Sequence, residues 1–155
     1  MLLYLIRHAE AVDTYPDHSR ALSTRGRHQT AVLAHFLQRT KAFRPAQVWH
    51  SPLLRAKETA QVLLHELPLA VPVKEVPNIT PEDDPREIAQ VLADMTHPLA
   101  LVGHEPHLSA LASLLVAGTP QPVLFAMKKG ATLALEYGGG ARWVVRWHVE
   151  PDLLT

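Results

Sequence analysis

Two short apolar runs constrain the fold of this chain more than any other feature. Leu2-Leu3-Tyr4-Leu5-Ile6 passes directly into Arg7-His8, and Leu99-Ala100-Leu101-Val102-Gly103 passes into His104. Continuous apolar stretches of this length suit strands covered on both faces. Each run ends in a histidine, so two strands deliver imidazoles to the carboxyl edge of a sheet, one of them beside an arginine. That edge is where open α/β sheets bind their ligands.

The rest of the chain alternates helices and strands around these runs. Residues 9–22 are polar and broken by Pro16, as in a loop. Ser23 or Thr24 caps a helix over about 24–40, with Ala31, Leu33, Ala34 and Leu37 inward and Gly26 a mild cost near its start. Gln47-Val48-Trp49-His50 reads as a second strand. Ser51 as N-cap and Pro52 at the first helical position then open a helix over about 53–66. A short strand candidate spans Val71 to Val76, and Pro85 starts a helix to about Met95 with Ile88, Val91 and Leu92 inward. Glu105-Pro106 opens a helix over roughly 107–117 that ends at Gly118. Strands near 131–137 and 142–149 flank Gly138-Gly139-Gly140 as a loose hairpin. Trp143 and Trp147 fall on one face of the last strand, as core or interface residues. The expectation is one α/β domain over residues 1–155, with a mainly parallel sheet and an antiparallel edge.

Composition removes several function classes. Lys plus Arg and Asp plus Glu are both 15, so no bulk field favours nucleic acid or an anionic membrane. Cysteine is absent, which excludes disulfides, thiolate metal sites and a cysteine nucleophile. No apolar stretch approaches the roughly 18–20 residues that would span a bilayer. No cationic region precedes the first apolar run, so the expected setting is the cytoplasm. None of the ten histidines lies in a His-Glu-x-x-His pattern. No metal or other cofactor is expected, and activity should survive a chelator. His28 and His35 read as surface residues, and His18, His50, His65, His97 and His148 receive no role.

Histidines and arginines at one sheet edge suit phosphate chemistry. To attack phosphorus, His8 needs one unprotonated nitrogen, with the other donating its hydrogen to a fixed acceptor such as a backbone carbonyl. Nearby guanidinium groups favour that neutral form. An isolated Arg-His reads first as a strand-end cap. The segment Ser51-Pro52-Leu53-Leu54-Arg55-Ala56-Lys57-Glu58-Thr59 adds a helix N-terminus aimed at the same edge, where amides and dipole favour an anion. Arg55 offers a planar fork for two phosphate oxygens, or else pairs with Glu58 or Thr59. His104 can donate to a transferring phosphoryl group, and Arg20 can reach the pocket from the preceding loop. Lys128-Lys129 borders the site or is a solvated pair at a strand start.

Arg7-His8-Ala9-Glu10, Arg20-Ala21-Leu22-Ser23-Thr24-Arg25-Gly26, the Ser51–Thr59 segment and Val102-Gly103-His104-Glu105-Pro106 together resemble the histidine phosphatase superfamily. Within it, the chain is most similar to the short bacterial phosphohistidine phosphatases of the SixA type. The resemblance implies a three-layer phosphoglycerate-mutase-like fold with helices on both faces and no large cap. It also implies a transiently phosphorylated His8, a phosphate pocket of Arg7, Arg55 and His104, and a contribution from Arg20. Ala9 stands where many members have glycine. Larger members carry their acid on an inserted cap, for which the stretch between Arg55 and His104 is too short. Glu82, Asp83 and Asp84 are the candidates for a general acid here, or equally are solvated residues leading into the Pro85 helix. Glu10 and Glu105 are further candidates, and Glu105 alternatively only orients His104.

The expected activity is therefore a metal-independent phosphatase, with phosphohistidine in a signalling or phosphotransfer protein as substrate. An uncapped site suits phosphate displayed on a protein, and a phosphoramidate leaving group is easily protonated. The alternatives are a sugar- or nucleotide-phosphate phosphatase of the same superfamily and a non-catalytic phosphate reader. The expected partner is a phosphorylated protein or a small phosphorylated metabolite, not nucleic acid or membrane. The sequence does not decide the oligomeric state.

Overall fold

The computed structural model describes residues 1–140 and 142–155. Its elements follow in the order β1 (Leu2–Arg7), α1 (Thr24–Thr40), β2 (Gln47–His50), α2 (Leu54–Glu66), β3 (Val73–Glu75), α3 (Pro85–Ala93), β4 (Leu99–Gly103), α4 (His107–Ala117), β5 (Thr132–Tyr137) and β6 (Trp143–Val149). One six-stranded sheet has the order β3-β2-β4-β1-β5-β6. The first four strands in that order run parallel, and β5 and β6 are antiparallel to their neighbours.

The period of two along β1 divides the interior into two cores. Leu3 and Leu5 face α3 and α4, packing with Leu99, Leu101, Ile88, Leu92, Leu108 and Leu111. Tyr4 and Ile6 face α1 and α2, packing with Val48, Val102, Leu33, Leu37, Ala60 and Leu63. Strand β4 is buried along its whole length, as a central parallel strand should be. Helices therefore cover both faces, giving three layers. Between α2 and β4 the chain forms only β3 and α3, so no inserted cap stands over the sheet edge.

Four local expectations need correction. Val91 is 47% exposed, because the inward stripe of α3 runs through Ile88 and Leu92 and leaves Val91 on its flank. The same helix ends at Ala93, two residues earlier than its pattern suggested. Trp143 and Trp147 lie on opposite faces. Trp143 pairs with Tyr137 and packs in the α3–α4 core, whereas Trp147 pairs with Ala134 and packs on the α1–α2 side. The register shifts between Ala134 and Leu135, which leaves Arg146 as an extra residue and inverts the alternation beyond it. Finally, Gly26 is a requirement and not a mild cost. A Cβ there would stand 2.0 Å from the Glu10 carbonyl oxygen, so only glycine lets α1 pack against the loop after His8.

No helix among the described residues is long and apolar enough to cross a membrane.

Candidate active site

Strand register brings the site together. Arg7 lies opposite Gly103 in the β1–β4 pair, and His50 lies opposite Val102 in the β2–β4 pair. His8, Ser51 and His104 consequently leave the sheet at one level. Backbone bonds from His8 N to the Gly103 carbonyl (3.0 Å) and from Ser51 N to the Val102 carbonyl (3.2 Å) hold them there. The rings of His8 and His104 are 5.0 Å apart between centroids.

His8 Nδ1 lies 2.7 Å from the Ala9 carbonyl oxygen. A carbonyl only accepts, so Nδ1 carries the hydrogen and Nε2 is the bare nitrogen whenever the ring is neutral. The ring is neutral at pH 7. Burial pulls its pKa down to about 4, and the charges of Arg55, Arg7 and Lys129 add to that against the pull of the Ala9 bond. The main chain after His8 is fixed as well: Ala9 N donates to Thr59 Oγ1 (3.0 Å), and Thr59 Oγ1 donates to the Arg55 carbonyl (2.7 Å). Helix α2 thus holds the loop that holds His8.

Arg55 enters from the first turn of α2 and is only 5% exposed. Helix α2 begins one residue later than the serine-proline signal implied. Leu53 is its N-cap and makes no side-chain bond. The Ser51 hydroxyl accepts from Leu53 N (3.2 Å) and pairs with His104 Nε2 at 2.6 Å. Burial pulls the His104 pKa down to about 3, aided by the Arg55 charge and by the repulsion that a second proton on His8 or His107 would meet, so this ring too is neutral. Arg7 Nη1 donates to the Met127 carbonyl at 2.8 Å. The buried Nε of Arg7, Nε of Arg55 and Nδ1 of His104 have no hydrogen-bond partner among the described residues. Buried polar nitrogens without partners are uncommon, and three on neighbouring side chains at a sheet edge suit an anion.

Arg20 meets this cluster through an aspartate that sequence reasoning missed. Its Nε donates to the Val12 carbonyl (2.8 Å), and its Nη1 donates to Asp17 Oδ1 (3.2 Å). Asp17 Oδ2 also lies 3.4 Å from both terminal nitrogens of Arg55. Partial burial works to raise the Asp17 pKa, but the arginine contacts outweigh it and hold the carboxyl below its ordinary value. Ser51 was missed too, because a serine before a proline is read first as a helix cap. Asp17 lay in a polar loop with no periodicity to single it out.

The acid candidates have other partners. Asp83 accepts from Thr80 N (2.8 Å) and Thr80 Oγ1 (2.6 Å), and these bonds from Thr80 hold its pKa below the ordinary value. Asp84 caps α3 by accepting from Arg86 N at 3.0 Å, and Glu82 is exposed. No hydrogen bond or ion pair among the described residues joins any of the three to Arg7, His8, Arg55 or His104. Glu10 accepts from Ser23 Oγ (2.6 Å), and Glu105 accepts from Ser109 N and Oγ. Glu105 therefore ties down the first turn of α4, and no hydrogen bond among the described residues joins it to His104. The Arg55 guanidinium bonds neither alternative partner: Glu58 accepts from Leu22 N and Arg27, and Thr59 Oγ1 donates to the Arg55 carbonyl. Among the described residues no three His, Cys, Asp or Glu side chains converge to hold a metal ion. A separate groove of about 850 Å3, lined in part by Met1, Leu92, Met95 and Trp143, lies at the opposite edge of the sheet.

Known proteins share this fold. The chain is 26% identical to the phosphohistidine phosphatase SixA of Escherichia coli K12, over 97% of its own length and 94% of the relative's. The solved structure of the protein histidine phosphatase SixA complexed with tungstate superposes with a TM-score of 0.89 at 22% identity, covering 100% of both chains. The α-ribazole phosphatase of Shigella flexneri superposes with a TM-score of 0.76 at 20% identity, covering 94% of this chain and 95% of that one. These two likenesses establish the three-layer phosphoglycerate-mutase-like fold that the motifs implied. The model of the histidine phosphatase superfamily (branch 1) matches residues 3–80, the stretch that holds Arg7-His8, Arg20 and the Ser51–Thr59 segment. The chain belongs to the histidine phosphatase superfamily.

Proposed function

We propose that residues 1–155 act as one phosphatase domain in which His8 takes a phosphoryl group from the substrate and passes it to water. The observation that carries this reading is the bond from His8 Nδ1 to the Ala9 carbonyl. It leaves Nε2 unprotonated among positive neighbours, as a nucleophile toward phosphorus must be. In the first step the Nε2–P bond forms while the bond from phosphorus to the leaving atom breaks. The leaving atom keeps the electron pair and takes a proton from solvent or from exposed Glu82. In the second step water attacks phosphorus, the Nε2–P bond breaks, and orthophosphate leaves. Arg7, Arg55 and His104, with Arg20 at the rim, donate to the equatorial oxygens, where the transferring group carries its charge.

The substrate we propose is phosphohistidine on a protein. The relative in Escherichia coli named for that activity aligns with nearly the whole chain. No cap stands between the pocket and a protein surface. Asp83 and Asp84 are committed to Thr80 and to the α3 cap, and Asp83 is held ionised. A weak proton supply is tolerable for an imidazole leaving group, which accepts a proton readily, and is less so for an alkoxide.

The test is to compare kcat/KM for a phosphohistidine peptide, a phosphoserine peptide and a sugar phosphate. Phosphohistidine should lead by an order of magnitude or more. A sugar or nucleotide phosphate in the lead would assign the protein to small-molecule metabolism. Tight binding of phosphopeptide without turnover would make it a reader.

A further inference from the structure

Asp17 stands where the proposed chemistry needs an anion to come and go. Its Oδ2 faces both terminal nitrogens of Arg55 at 3.4 Å, and its carbonyl oxygen accepts from Arg55 Nη1 at 3.1 Å. A carboxylate against the two-nitrogen edge of a guanidinium takes the place that a phosphate would take. The two anions therefore compete for one fork.

The contact is built for exchange. Charge-assisted N–H···O bonds close at about 2.7–2.9 Å, so a pair at 3.4 Å is loosely seated. The Arg55 side chain is 7% exposed and the Asp17 side chain 64% exposed, so the arginine is the fixed member and the aspartate the movable one. Asp17 opens a three-residue 3-10 turn, Asp17–Ser19, that buries none of its residues and has no side-chain cap. All of residues 13–19 are exposed. Arg20, anchored on Val12, holds the other oxygen of the same carboxylate. Asp17 can thus release Arg55 without losing every cation.

We propose that Asp17 is a latch on the phosphate site. It fills the Arg55 fork in the free protein, gives way onto Arg20 when a phosphoryl group arrives, and by this competition weakens the hold on free orthophosphate. The proposal rests on Arg55 being a phosphate ligand, as argued above. Its consequence is selectivity. A phosphoryl group on a substrate brings the contacts of the rest of that substrate and displaces the latch. Orthophosphate, the product, brings only itself and leaves more easily.

A permanent brace would behave in the opposite way, because removing it would loosen Arg55 and weaken phosphate binding. The sign of one measurement therefore decides. Inorganic phosphate is titrated calorimetrically into the full chain as wild type, Asp17→Asn, Asp17→Ala and Arg55→Ala, each checked for a native circular dichroism spectrum. The latch predicts that both Asp17 variants bind phosphate about two- to fivefold tighter, the range to which the strength of an exposed ion pair converts. It also predicts that Arg55→Ala binds far more weakly. Unchanged or weaker binding in both Asp17 variants, with Arg55→Ala still impaired, overturns the latch and leaves the pocket assignment standing. Equal binding by wild type and Arg55→Ala overturns both.

Discussion

His8 combines two properties that conflict in free histidine: a nitrogen lone pair open to attack and a charged neighbourhood that draws anions. Burial and the adjacent arginines resolve the conflict by driving the proton off, and the Ala9 carbonyl decides which nitrogen keeps the remaining one. The expected outcome in nitrogen-detected NMR is a His8 ring in the Nδ1–H tautomer that does not titrate between pH 8 and pH 5, because its pKa lies near 4. An ordinary histidine, with a pKa of about 6.5, would titrate in that range. A midpoint near 6.5 would remove the nucleophile assignment's electrostatic basis.

Element by element, the path from sequence to site runs through close packing. Gly26 sits in the first turn of α1 against the Glu10 carbonyl, two residues beyond His8, and Glu10 is itself pinned by Ser23 and Gln29. Alanine at this position would gain about 1 kcal/mol of helix propensity. Overpacking against backbone costs about 1–3 kcal/mol and occasionally more, and a 2.0 Å approach belongs at the upper end. Gly26→Ala should therefore lower stability by about 2 kcal/mol in urea unfolding. It should also reduce turnover, because the loop carrying His8 must shift. The strands and helices themselves were legible from apolar period and cap residues, and four of the clustered side chains stood at strand ends and helix starts. What escaped was set by contacts distant in sequence. Ser51 pairs with a ring on another strand, Asp17 reaches across from an irregular loop, and the bulge at Arg146 turns Trp147 to the other core. Local pattern carries no trace of such pairings.

For the molecule as a whole, a site made of buried neutral histidines ties stability to pH. His8 and His104 have folded pKa values of about 4 and about 3, and burial lowers that of His107 as well. Unfolded, each returns to 6.5. Below that value the unfolded chain takes up protons that the folded chain refuses, so stability is whole above pH 6.5 and falls as pH drops toward 4. Urea unfolding at pH 7.5 and pH 5 should differ by roughly 2 kcal/mol for each of His8 and His104, lower at pH 5, with His107 adding in the same direction. A flat profile would mean that these rings are not buried neutral. The phosphorylation of His8 itself can be tested chemically. The protein is mixed with a phosphohistidine peptide, quenched within milliseconds, and mapped for phosphate by mass spectrometry under conditions that preserve the nitrogen–phosphorus bond. Phosphate should appear on His8, formed and lost at rates that match orthophosphate release, with neither label nor release in His8→Ala. Release at the wild-type rate from His8→Ala, or turnover without any label on His8, would contradict transfer through His8.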